Sequence, residues 1–183
     1  MGASQPEELV RRAAAKLYTA LALTDECSVA GVVRAHLEAR ECGIHFIVGS
    51  EIHFMTAGGV PFARLVLLAQ DRRGYGNLSE LITLARRRAE KGSYDARIAD
   101  LEGKTAKAPH LAGLPGCLAL LIPEKDATVE SIFGQCMWLR TWFPDRAWVA
   151  GPRRWRSTMT CAAGPSRRRL RAPACASWRH PAP

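Results

Sequence analysis

Four apolar runs constrain this chain most: "LALT" at Leu21, "IHFIVGS" at Ile44, "ARLVLLAQ" at Ala63 and "CLALLIP" at Cys117. Each is nearly continuous rather than alternating, and helix-length polar or amphipathic segments lie between most of them. A strand that is apolar at successive positions buries both of its faces, which calls for a parallel or mostly parallel sheet covered by helices. The fold class is therefore α/β, and functional groups in such folds collect at the carboxyl ends of strands.

The segments between the runs have helix signatures. "SQPEELVRRAAAKLYTA" places Ser4 and Glu7 at capping-box spacing and Pro6 in the first turn, with Leu9, Ala13 and Leu17 recurring every four residues. A second helix is expected from about Ser28 to Cys42, stopping at Gly43. "GYGNLSELITLARRRAEKG" reads as a helix closed by Gly92, and "ATVESIFGQCMWLRTWF" as an amphipathic one. "EIHFM" and "RAWVA" complete the strands. No strand precedes the first helix, so the sheet is expected to lack its opening strand.

Charge separates the chain into two parts. The net charge is +9 over 183 residues, but the last 33 residues hold eight of the 26 Lys and Arg and no Asp or Glu. Residues 1–150 keep 18 basic against 17 acidic side chains, so the body is close to neutral. The segment 151–183 also contains five of the eleven prolines, and Leu170 is its single Leu, Ile, Val or Phe. It can bury almost nothing and reads as a disordered or misread tail. Six cysteines without a CxxC pair argue against a zinc site or a disulfide framework and suit reduced thiols in the cytoplasm. "MGASQPEELVRR" has no signal-peptide core and no run reaches about 18 apolar residues, so neither export nor a membrane span is expected.

The candidate site is acidic. Asp25 and Glu26 follow the first apolar run, Glu51 follows the second, and His53 shares a face with Glu51 if the strand is extended. Hard carboxylate oxygens suit Mg²⁺ or Mn²⁺, and an adjacent histidine admits Zn²⁺. The competing reading gives Asp25 and Glu26 a helix-capping role. His36, His45 and His110 read as packed or surface histidines, and Arg86 to Arg88 as a solvated helix face. Neither a P-loop, a GxGxxG nor a GxSxG elbow occurs, so nucleotide binding and covalent catalysis have no support.

The stretches "LTDECSVAGVVRAH", "LVLLAQDRRGYGNL" and "GLPGCLALLIP" resemble the N-terminal polymerase and histidinol phosphatase (PHP) domain of bacterial C-family DNA polymerases, most of all the error-prone branch. The resemblance runs from about Gly2 to Ala150. It implies a distorted (βα)7 barrel with metal ligands at strand ends, here incomplete because the first and closing strands are missing. Asp25 falls on the Asp of the family's Asp-His motif and Glu51 on the Glu of its Gly-x-Glu motif, while Glu26 stands where the His is expected. The implied function is that of a fragment of a translesion polymerase, scaffolding or vestigial at its own metal site, in DNA replication and repair. DNA and other translesion-synthesis proteins are the implied partners. Mg²⁺ is expected for the polymerase chemistry, whose palm domain this chain lacks, so the chain is not expected to polymerise by itself. The alternatives are a residual metal-dependent phosphoesterase using Asp25, Glu26, Glu51 and His53, and a nucleic-acid-binding module using Arg153, Arg154, Arg167, Arg168 and Arg169. An incomplete barrel is also expected to expose apolar edges and to aggregate.

The tail has a further reading. Ser157 to Ala163, re-read with each codon starting on the previous third base, can give Asp-Asp-Asp-Leu-Arg-Arg, an acidic helix start of the kind that follows a strand in α/β folds. A frameshift near Gly151 is therefore expected.

Overall fold

The computed structural model describes residues 4–151; the arginines of the tail named above lie outside the described residues. Helix α1 spans Pro6–Ala15, strand β1 Ala20–Leu23, α2 Val32–Cys42, β2 His45–Met55 and β3 Pro61–Ala69. Helix α3 spans Arg72–Arg88, β4 Ala96–Arg97, α4 Ile98–Leu101, β5 Cys117–Leu121, α5 Val129–Trp142 and β6 Ala147–Val149. The strands form one open sheet in the order β1-β2-β3-β5-β6, with β4 paired to the end of β2. Pairings β1/β2, β2/β4 and β5/β6 are parallel, and β3 runs against both β2 and β5. The expected mostly parallel α/β sheet is present, and β3 is the exception.

That exception is a hairpin. "IHFIVGS" and "EIHFM" form one strand of eleven residues, and "TAGGV" turns the chain back into β3. The Thr56 N–H donates to the Val60 carbonyl at 2.8 Å, the Thr56 Oγ1 accepts from the Val60 N–H, and Gly59 takes the φ of 74° that the turn requires.

Alternation along the strands sorts the side chains. Ile52 and Phe54 of β2, Leu65 and Leu67 of β3, and Cys117, Ala119 and Leu121 of β5 are buried against Leu78, Leu81 and Ala85 of α3 and Leu139 of α5. A second cluster joins Val10 and Ala13 of α1, Leu23 of β1, and Ala35 and Ala39 of α2. Between those positions on β2 and β3, pointing to the opposite face, stand Glu51, His53 and Arg64.

Several helix limits differ from expectation. Gln5, not Ser4, caps α1, its N–H donating to Glu8 Oε2 at 3.3 Å, and the helix ends before Leu17, which is exposed with φ 59°. Helix α2 starts at Val32 behind Gly31, so neither Asp25 nor Glu26 caps it; Gly43 ends it in the left-handed conformation, as expected. Helix α3 begins before "GYG", where Asp71 accepts the Gly74 N–H at 2.7 Å, and stops at Arg88 rather than at Gly92.

Candidate functional site: the acidic rim beside strands β1 and β2

Past Leu23 the chain stays alongside β2. Glu26 bridges Glu51 in parallel register, the Cys27 N–H donates to the Glu51 carbonyl at 2.8 Å, and the Glu51 N–H donates to the Asp25 carbonyl at 3.2 Å. Ser50 completes the seam from beneath. It is fully buried, and its hydroxyl donates to the Asp25 carbonyl at 2.8 Å while accepting the Ser28 N–H at 3.1 Å. Cys27 then takes a φ of 43°, turning the chain off the sheet toward α2.

The structure thus brings Glu26, Glu51 and His53 to one rim, with Asp25 exposed beside them and tied in through its carbonyl. The side chains do not converge on an open centre. Arg64 sits opposite His53 in the β2/β3 register, diagonal to Glu51, and both its Nε and a terminal nitrogen lie 2.6 Å from Glu51 Oε1. His53 Nε2 stands 3.6 Å from that same oxygen. Glu26 Oε1 accepts the Tyr94 hydroxyl at 2.8 Å, and the Tyr94 oxygen accepts the His53 N–H at 3.2 Å. Burial, and then the hydrogen bond to Glu26, push the Tyr94 phenol well above its ordinary value, so it stays a donor.

Arg86 holds the outside of the rim. Its Nε donates to the Cys27 carbonyl at 3.1 Å, its other nitrogens reach the Glu26 and Ser93 carbonyls, and its guanidinium lies 5.4 Å over the Tyr94 ring. Arg88 makes two 2.6 Å bonds to the fully buried Asp100. The arginine run is therefore no simple solvated face, since only Arg87 of the three is exposed. His110 does lie at the surface, its Nε2 2.8 Å from Glu80.

Among the described residues, no group of three or more His, Cys, Asp and Glu is arranged to hold an ion. Two of the rim carboxylates are already engaged, Glu51 by a guanidinium and Glu26 by a phenol. This set does not fit a divalent cation as it stands.

The family model described as the PHP domain matches residues 1–134. The chain belongs to the PHP domain family. It is 52% identical over 148 residues to the error-prone DNA polymerase of Bordetella parapertussis, and 54% identical over 149 residues to that of Dechloromonas aromatica. Each match covers 81% of this chain but 14% and 13% of those polymerases, so the chain spans about a seventh of the length of the relatives it matches. An amidohydrolase from Chromobacterium violaceum, solved with sulfate and no metal, superposes with a TM-score of 0.53 at 18% identity, covering 78% of this chain and 70% of that one. That likeness shows the fold alone.

The PHP residues that sequence reasoning missed are Arg64, Tyr94 and Ser50. Arg64 is the lone charge inside "ARLVLLAQ", and reading "TAGGV" as a hairpin turn would have set it across from His53. Tyr94 had no local signal, since a span of 68 residues separates it from Glu26.

Proposed function

We propose that this chain is the N-terminal PHP segment of an error-prone, translesion DNA polymerase, and that it serves that enzyme as a scaffold or partner contact in DNA replication and repair. One observation carries the reading: the match to the error-prone polymerases runs over 148 residues at 52% identity, in a single stretch that covers 14% of the relative. In such a polymerase the nucleotidyl transfer belongs to a palm domain, where carboxylates position two Mg²⁺ ions and the incoming triphosphate. The PHP segment contributes fold and surface. DNA is its partner through the polymerase, along with other translesion-synthesis proteins of the mutagenic SOS response, and its place is the cytoplasm. Among the described residues no helix is long and apolar enough to cross a membrane.

A contact role has physical support in α5. Val129, Phe133 and Met137 recur every four residues along it and are 56%, 66% and 46% exposed, an apolar stripe that helical spacing puts on one side. In this reading residues 1–150 are the partial PHP domain, and 151–183 are a shifted-frame translation.

Sequencing the DNA on both sides of the reading frame, and translating every frame, tests the proposal. The expected result is a His-x-His strand encoded upstream and, in a shifted frame downstream, an acidic helix leading into a polymerase palm. Flanks without such sequence would overturn it.

A further inference from the structure

The acidic rim contains a cation of its own. Glu51 Oε1 and His53 Nε2 are 3.6 Å apart, close to the roughly 3.3 Å that separates two ligands at the tetrahedral angle around an ion held at about 2.0–2.1 Å. Glu26 stands beside them, paired in register with Glu51. Two nitrogens of Arg64 lie 2.6 Å from Glu51 Oε1, the oxygen an ion would need, and a guanidinium keeps its charge across the whole physiological range. The site is shielded but not sealed: the side chains of Glu51, Arg64 and His53 are 21%, 35% and 44% exposed.

The geometry points to Arg64 as the resident cation of this cleft, a guanidinium that neutralises and orients Glu51 in place of a divalent metal and keeps such a metal out. Coulomb attraction between Glu51 and a divalent ion is offset here by repulsion from a fixed positive charge on the same oxygen. The Tyr94 hydroxyl does for Glu26 what Arg64 does for Glu51, occupying an acceptor that a metal would otherwise bind. The inference concerns this cleft alone and stands or falls independently of whether the chain is part of a polymerase.

Its corollary is that removing the guanidinium should expose a nascent metal site. Zinc titration of the full chain, with competition by a chromogenic chelator, compares the wild type with Arg64→Gln, each with and without Glu51→Gln. Zinc bound elsewhere cancels between members of each pair. The Glu51-dependent affinity of Arg64→Gln is expected to exceed that of the wild type at least tenfold. Equal Glu51-dependent affinity in the two backgrounds would overturn the inference. A second measurement needs no variant: the Arg64 Nε–H proton, followed by NMR in the wild type, should keep its shift and slow solvent exchange as zinc is added. A zinc-induced shift with faster exchange would show the guanidinium displaced, and Arg64 would not be the resident cation.

Discussion

At the scale of single residues, the two glycines of "GYG" show how one short stretch carries opposite constraints. A Cβ on Gly74 would stand 1.9 Å from the Gly116 carbonyl oxygen, a backbone atom that cannot swing aside, because the first turn of α3 rests directly on the turn before β5. A Cβ on Gly76 would meet nothing within 4 Å. Gly74→Ala should therefore destabilise the fold by at least about 1–3 kcal/mol through overpacking, and Gly76→Ala should stabilise it by up to about 1 kcal/mol through helix propensity. Urea unfolding of the two variants beside the wild type checks both signs. In the sequence "GYG" matches neither a P-loop nor a GxGxxG, and it holds no sign of Gly116 as the partner, since that contact spans 42 residues. The rim carboxylates were legible for a local reason: each follows an apolar run. Arg64, Tyr94 and Ser50 were not, because their partners are set by hairpin register and by a tertiary approach that no local pattern encodes.

At the scale of elements, the join between α3 and α4 rests on a buried ion pair. Asp100 is wholly buried; burial works against its ionisation, and Arg88, the Thr105 hydroxyl and the Arg97 N–H together outweigh that and hold its carboxyl below the usual range. The folded state then binds fewer protons than the unfolded chain. Its contribution to stability is full above the ordinary carboxylate range, about pH 4, and is lost as pH falls through the lower folded value. Arg88→Ala leaves the carboxylate buried without its cation and should cost about 3–5 kcal/mol at neutral pH. Desolvation now dominates Asp100 in the variant, so the sign reverses and the deficit should shrink on acidification. Chemical denaturation of both proteins between neutral pH and pH 4 measures this, and a deficit that stays constant with pH would show that Asp100 does not couple to Arg88. Helices and long strands were readable from apolar runs and from stops such as Gly43, which ends α2 in the left-handed conformation. The two-residue β4 was not, because it exists only as a pairing with the end of β2.

For the whole molecule, the sheet formed by the described residues is open, with β1 and β6 at its two ends and Trp148 of β6 half exposed on the face opposite the helices. That open form matches the incomplete barrel expected from the sequence, and the PHP family assignment agrees with it. The position of the rim also follows from the whole sheet: helices cover the face that carries Ile52 and Leu65, which leaves Glu51, His53 and Arg64 to meet one another on the other. We propose that this PHP rim, with Arg64 on Glu51 and Tyr94 on Glu26, is a structural clasp rather than a hydrolytic centre. Release of phosphate from a generic phosphoester by the purified chain, assayed with Mn²⁺ and with Zn²⁺ and repeated with Glu51→Gln, tests that claim most directly. The predicted result is no turnover above background in either metal and no difference between the two proteins; metal-dependent turnover that disappears in Glu51→Gln would contradict it and make the rim a working phosphoesterase site.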